Sequence, residues 1–419
     1  MRKLKYSGTD WLGMVPEDWS VERTKYHFYN EKTIVGMFVD DYERLALTMK
    51  GVIKRSKEDA NGLQPEKFDS YQILRKDELV FKLIDLQNVT TSRVGLSPYD
   101  GLVSPAYIVL KANGKVLPEF AEQYFLFLWR NEIFNFLGND GVRSSLNASD
   151  LLNIPIVVPS IEEQKRIVEY LDARCAEIKT IISEIQAQID VLEQYKRSVI
   201  TETVTKGLNP DAEMKDSGIQ WIGMMPSHWE CIRGKYILKY IQKPVREDDG
   251  VITCFRDGEV TLRSNRREDG FTMADKEIGY QGIDVGDLVV HGMDGFAGAI
   301  GISDSRGKAS PVLNVLGTEQ NKRYIMYFLR SMAYSDVFLA LATGIRVRSC
   351  DLRWNKLAEL FYPVPPIEEQ DAIVAHINSL LQKTNDVIAD KKEQLAVLEA
   401  YKKSLIYEYV TGKKEVPVQ

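Results

Sequence analysis

From residue 162 to about residue 206 the chain contains no glycine or proline, and apolar side chains return at near-heptad spacing: Leu171, Cys175, Ile178, Ile182, Ile185, Ile189, Leu192, then Val199. Spacing of this kind keeps one apolar stripe along a helix and predicts a coiled-coil seam. A second stripe follows 206 residues later through Ile377, Leu381, Thr384, Ile388, Lys391, Leu395, Leu398 and Leu405, with polar faults at Thr384 and Lys391. Pro159 and Pro365 precede the two stripes, and the pairs Glu162/Glu163 and Glu368/Glu369 suit the positive end of a helix dipole. Gly207 and Gly412 supply the stops. At ~1.5 Å per residue, a helix of about 44 residues is about 66 Å long, a length that suits a rigid spacer better than the core of one globule.

Between the stripes the pattern shortens. Runs at 79–84, 106–111, 154–158, 251–255 and 288–291 are rich in β-formers and bounded by Gly, Pro, Asp or Asn, so they predict strands. Longer apolar patterns predict one helix per globule, at 119–137 and 322–342. The resulting class is α+β, with two mixed α/β globules and two long helices.

The chain is also written twice. Residues 7–19 (SGTDWLGMVPEDW) return at an offset of 210 as 217–229 (SGIQWIGMMPSHW), with seven of thirteen positions identical. At an offset of 206, GLVSPAYIVL (101–110) returns as GKASPVLNVL (307–316), PSIEEQ (159–164) as PPIEEQ (365–370), and VLEQYKRS (191–198) as VLEAYKKS (397–404). An internal repeat of this length implies two units of one topology. The reading places a first globule at 1–160, a helix at 161–207, a linker at 208–216, a second globule at 217–366, a second helix at 367–411 and a tail at 412–419. Globule interiors, at 40–95 and 240–300, have diverged much further than their edges. Trp11, Trp19, Trp221 and Trp229 in the repeated opening motif read as a structural clamp closing each globule rather than as base-stacking residues.

Composition narrows the function. With 419 residues, 44% hydrophobic and 27% charged, the chain suits a folded soluble protein of two to three domains. Its formal charge is −6, distributed as −1, −2, −1 and −2 over globule, helix, globule and helix, so nucleic acid binding would need local basic patches. Cys175, Cys231, Cys254 and Cys350 lie 56, 23 and 96 residues apart, which matches no metal hook or small disulfide framework and fits a reducing cytoplasm. No signal-peptide or membrane-spanning segment is expected. Phosphate-loop, zinc-helix and nucleophile-elbow motifs are missing, His27, His228, His291 and His376 are scattered, and 292–301 (GMDGFAGAIG) reads as tight strand connections. Binding without catalysis, and no cofactor or metal in this chain, is the expectation.

Cationic clusters remain. In the first globule they are Lys50, Lys54, Arg55 and Lys57, then Arg93 and Arg143; in the second they are Arg256, Arg263, Arg266 and Arg267, then Arg346, Arg348 and Arg353. Loop arginines of this kind can meet guanine edges bidentately or grip phosphate. Arg143 and Arg346 stand out because each follows a glycine–hydrophobic step near the end of its globule.

Two divergent globules, each entered through WxGxxPxxW and left through PxIEEQ into a seam helix, resemble the specificity subunit of Type I restriction-modification systems over essentially the whole chain. The resemblance implies two target recognition domains, each reading one half of a split, asymmetric site in double-stranded DNA, on long helices packed antiparallel about a pseudo-two-fold. It also implies two modification subunits, which carry S-adenosylmethionine and methylate adenine, together with restriction subunits that translocate and cleave DNA. A self-sufficient DNA-modifying enzyme and a protein-binding scaffold with paired globules are the alternatives.

Overall fold

The computed structural model describes residues 2–59, 67–84, 86, 92–137, 145–266, 278–341 and 352–417. It forms two compact units, Met1–Ile185 with Glu393–Gln419, and Gln186–Lys392. Neither follows the chain order of globule then helix. Each combines one globule with the beginning of the helix that leaves it and the end of the other long helix.

In the first unit the chain order is β1 (Leu4–Tyr6), β2 (Met14–Pro16), β3 (Ser20–Arg23), β4 (Phe28–Asn30), β5 (Arg44–Thr48), β6 (Gly51–Arg55), β7 (Gln72–Leu74), β8 (Leu79–Phe81), β9 (Val94–Leu96), β10 (Gly101–Val103) and β11 (Ile108–Ala112). Helices α1 (Pro118–Arg130), α2 (Ile133–Leu137) and α3 (Ala148–Asn153) follow, then β12 (Pro155–Val158) and the start of α4 (Ile161–Lys206). An inner sheet of order β4-β11-β8-β9 shares its core with α1, the start of α4, and Leu405, Ile406, Tyr409 and Val410 at the other helix's end. An outer sheet of order β6-β5-β10-β7 closes over smaller cores, one of them built on Leu45, Leu47, Leu74 and Val103.

The second unit repeats the plan. Its hairpin β13 (Met214–Asp216) and β14 (Met224–Pro226) pairs Met214 with Pro226, where the first pairs Leu4 with Pro16. Next come β15 (Glu230–Arg233), α5 (Gly234–Ile237), β16 (Leu238–Ile241), β17 (Ile252–Cys254), β18 (Val260–Leu262), β19 (Gln281–Ile283), β20 (Leu288–His291), β21 (Ile300–Ile302), β22 (Gly307–Ala309) and β23 (Leu313–Thr318). The remainder is α6 (Lys322–Tyr334), α7 (Val337–Ala340), α8 (Trp354–Glu359), β24 (Phe361–Val364) and α9 (Ile367–Val410). Its inner sheet has the order β16-β23-β20-β21, matching the first strand for strand. The outer layer differs: the hairpin β17–β18 and the two-stranded sheet β19–β22 are separate and joined by the parallel bridge from Val251 to Lys308, where the first unit has one continuous sheet.

The five expected strands all form. The expected single helix in each globule instead breaks in two, after Arg130 and after Tyr334. Both breaks turn on a non-glycine residue in the left-handed region, Glu132 (φ 60°) and Asp336 (φ 54°), and Phe127 O is held by both the backbone N–H and the side-chain Nδ2 of Asn131. Apolar periodicity continues through the break, which is why it does not reveal it.

Hydrogen bonds explain the repeated motifs. Trp19 Nε1 donates to Glu163 Oε2 at 2.9 Å, and Trp229 Nε1 to Glu369 Oε2 at 3.0 Å. The next residue is a buried glutamine in both copies. Gln164 accepts from Leu117 N and donates to the carbonyls of Lys115 and Pro159; Gln370 accepts from Asn321 N and donates to Gln320 Oε1 and the carbonyl of Pro365. The IEEQ segment thus staples the helix start to its globule, and of the four tryptophans of the opening motifs Trp19 and Trp229 make that clamp. Each clamp also receives the end of the other helix: Gly412 (φ 71°) lies against Pro16 and Trp19, and Gly207 (φ 77°) against Pro226 and Trp229.

Within each unit the two helices run antiparallel. In the first, Tyr170 and Tyr409 meet with ring centroids 4.6 Å apart; in the second, Lys196 Nζ donates to Asn385 Oδ1 at 2.7 Å. The two polar faults in the seam are both accommodated. Thr384 Oγ1 donates back to Leu380 O at 2.9 Å, and Lys391 Nζ reaches Gln188 Oε1 across the pair.

Candidate nucleic-acid interface

Apart from Arg93 and Arg353, the candidate cations that fall within the described residues gather on or beside equivalent hairpins of the two outer layers. In the first unit the β5–β6 hairpin carries Lys50 in its turn, with Lys54 and Arg55 on its second strand. Lys54 pairs with Glu43 and lies 5.2 Å from the ring centre of Tyr99, Arg55 Nε meets Asp59 Oδ2 at 2.7 Å, and Lys57 Nζ donates to Val39 O. Lys54, Arg55 and Lys57 line one cleft of ≈620 Å³ with Asp40, Asp41 and Glu43.

In the second unit the β17–β18 hairpin carries Arg256, with Arg263 and Arg266 in the turn that follows. Arg256 Nη2 meets Asp294 Oδ1 at 2.9 Å, Arg263 Nε donates to Thr253 Oγ1 at 3.0 Å, and Arg266 pairs with Asp257 and Glu259 while its guanidinium stacks 4.1 Å from the ring centre of Phe255. All three line a cleft of ≈490 Å³ with an apolar floor that includes Ile252, Val312 and Leu313. His291 also lines it. Its Nδ1 accepts from the backbone N–H groups of Met293 and Asp294, and burial pushes its imidazole below the ordinary value, so near neutral pH it presents a neutral edge with the proton on Nε2. Cys254 behind it is buried, and desolvation pushes its thiol up, which keeps it protonated and unreactive.

Most of these ion pairs are exposed to water on at least one side. Pairs of that kind are worth only ~0–1 kcal/mol, so exchanging a carboxylate partner for a phosphate or a base edge costs little. The carboxylates also explain how cationic hairpins coexist with a net negative chain.

One candidate is corrected. Arg93 does not belong to a surface, because its side chain is fully buried beside β8 and β9, and a guanidinium enclosed by protein cannot reach a ligand without opening the globule. Arg143, Arg267, Arg346 and Arg348 lie outside the described residues, and Arg353 caps the start of α8. The sequence reading missed Tyr99, Phe255 and His291. Tyr99 and Phe255 come to their cations, and His291 to the cleft, from other strands or loops, a juxtaposition that spacing along the chain does not reveal.

No helix among the described residues is long and apolar enough to cross a membrane. Residues 41–191 match the Type I restriction modification DNA specificity domain. The chain is 22% identical to the provisionally named MjaX type I restriction enzyme specificity subunit of Methanocaldococcus jannaschii, over 97% of this chain and 96% of that one. It is 23% identical to the MjaVIII specificity subunit of the same organism over 75% of each. A solved chain from a study of complex assembly and conformational transition in the type I R-M system superposes with a TM-score of 0.67 at 16% identity, covering 96% of this chain and 99% of that one. A DNA specificity domain match within the first globule and first helix, two relatives of one kind, and a shared two-globule fold all point the same way: the chain is similar along its length to specificity subunits of Type I restriction-modification systems.

Proposed function

We propose that each globule reads one half of a split, asymmetric site in double-stranded DNA, and that this chain performs no chemistry itself. One observation carries the reading: the two units keep the same inner sheet, strand for strand, while their outer layers differ in strand connection and in the charged side chains on the equivalent hairpins. A common scaffold with two different surfaces is what reading two different half-sites requires. Lys50, Lys54 and Arg55 act for one half, and Arg256, Arg263 and Arg266 for the other, with Arg143, Arg267, Arg346 and Arg348 as further candidates.

Partners follow from the helices. Val191 is 62% exposed and Val397 60%, and Tyr195 and Tyr401 stand one turn further on, also exposed. An apolar pair kept on the solvent side of both helices supports docking of two copies of one partner, the modification subunit, which would bring S-adenosylmethionine and adenine methylation. Restriction subunits complete the assembly in the cytoplasm.

The test is selection of bound sequences from random duplexes by the chain assembled with its modification subunits. The expected result is a split motif. Exchange of residues 20–155 for those of another family member should then alter one half of the motif and leave the other half and the spacer unchanged. An unsplit motif, or both halves changing together, would overturn the reading; capture of protein partners with no sequence preference on DNA would favour the scaffold alternative.

A further inference from the structure

Exposed side chains that survive in both copies of a diverged repeat require an explanation other than packing. Over 4–30 and 214–240 many positions exposed in both copies have changed: Tyr6 faces Asp216, Asp10 faces Gln220, Asp18 faces His228, Ser20 faces Glu230 and Tyr29 faces Lys239. Lys5 and Met14 persist as isolated side chains, as Lys215 and Met224, and one cluster persists as a group. Arg23, Lys25 and Tyr26 correspond to Arg233, Lys235 and Tyr236, and all six are exposed.

The geometry is duplicated as well as the identity. In both units the segment leaves the strand that pairs with the last strand of the globule, β3 with β12 and β15 with β24, and turns through a single short helical turn. A buried small residue, Thr24 or Gly234, anchors that turn: Thr24 Oγ1 donates to Ile154 O, and Gly234 N to Leu360 O. The lysine then lies over the tyrosine ring, at 5.8 Å in the first unit and 5.5 Å in the second. Tyr26 is 62% exposed and Tyr236 73%, far more than a ring kept for packing.

We infer that these two Arg-x-Lys-Tyr clusters are sequence-independent anchors for the DNA sugar–phosphate backbone, one on each unit. The inference rests on the DNA-reading function proposed above and extends it to a second, separate surface. Base readout must differ between globules that recognise different half-sites, whereas phosphate is the same chemical group everywhere along a duplex. Readers should therefore diverge between the repeats and backbone grips should persist. Arginine, lysine and a tyrosine hydroxyl are all among the groups that contact phosphate and fix register without carrying sequence information. Existing partners do not oppose this. Arg23 Nη1 donates to the neutral Asn153 Oδ1 at 2.9 Å, and Arg233 and Lys235 share the exposed Glu359 at 3.1 and 3.3 Å, a pairing that a phosphate can replace.

The experiment uses the full chain assembled with its modification subunits and measures affinity against salt concentration for two duplexes, one carrying the selected split site and one of scrambled sequence. K25A and K235A should each lower the salt slope by about one and weaken both duplexes by the same factor, and the double variant should show both losses. K25R should restore the slope; Y26A should weaken both duplexes equally with the slope unchanged. Sedimentation should find the same assembly mass throughout. An unchanged salt slope in a correctly assembled complex, a change in preferred sequence, or loss of a modification subunit would each overturn the inference, the last by making the cluster a protein contact. Failure of the wild-type complex to prefer its site would instead be failure of the DNA-reading function, and it appears before any variant is made.

Discussion

At the residue scale the decisive side chains are those that end up between elements. Gln164 and Gln370 look like ordinary helix-surface polars in the sequence, two residues into a run of charges. Both are fully buried, and each satisfies three groups of the loops that feed its helix. Removing a buried partner leaves donors and acceptors without water to replace it. Gln164→Ala and Gln370→Ala should therefore each cost about 2–4 kcal/mol, with the smaller loss at Gln370, one of whose acceptors is the half-buried Gln320 side chain rather than a backbone carbonyl. Urea denaturation of the full chain checks this, and a loss below about 1 kcal/mol at either site would mean the loops hold the helix start without the amide. The motif PxIEEQ was legible as a repeat; that its glutamine is a buried staple was not, because burial depends on the approach of the loop before α1 or α6, 47 or 49 residues earlier in the chain.

At the element scale the long helices were the most legible part of the fold. Their seam positions, starts and stops follow from local rules, and α4 at Ile161–Lys206 and α9 at Ile367–Val410 lie where those rules put them. The breaks at Glu132 and Asp336 escaped, since nothing in the apolar pattern marks a left-handed residue that the surroundings hold in place. Two glycines of like backbone conformation, one at the end of α9 and one between β13 and β14, separate conformational strain from packing. Gly412 and Gly218 have nearly the same φ, 71° and 70°, but a Cβ at Gly412 would overlap Pro16 and crowd Trp19, while at Gly218 it would meet nothing within 4 Å. Gly218→Ala should cost about 1 kcal/mol from backbone conformation alone, and Gly412→Ala about 3 kcal/mol because the end of α9 must also lift from the clamp. Equal thermal destabilisation of the two variants would show that the helix end does not depend on that contact.

At the scale of the whole molecule the proposed function makes helix length a ruler for the DNA spacer, and the antiparallel pairing constrains how that idea can be tested. Lys196 meets Asn385 and Gln188 meets Lys391 within one unit, so four residues inserted after Gln194 alone would shift one contact relative to the other. A matching insertion of four after Asp386 restores the register. Each insertion adds about one turn, ~6 Å of helix, which corresponds to nearly two base pairs of axial rise. The paired variant should keep its melting temperature and select a split site whose spacer is longer by one or two base pairs with both halves unchanged. The single insertion should lower stability. An unaltered spacer from the paired variant, assembled normally, would mean that the helices do not set the distance.

What the sequence determined by itself is everything governed by neighbours along the chain: the seam helices and their ends, the five predicted strands, and the doubling of one topology at offsets of 206 and 210. It also held, unread, the repeated Arg-x-Lys-Tyr, which acquires meaning only once all three side chains prove exposed in both copies. Tertiary structure decided the rest. It buried Arg93, brought Tyr99 beneath Lys54 and Phe255 beneath Arg266, and assembled each compact unit from one globule, the start of its own helix and the end of the other. The physical reason is the same in every case. Helix periodicity and turn chemistry act over a few residues, whereas burial, charge pairing and the docking of a helix end depend on surfaces that meet from across the chain.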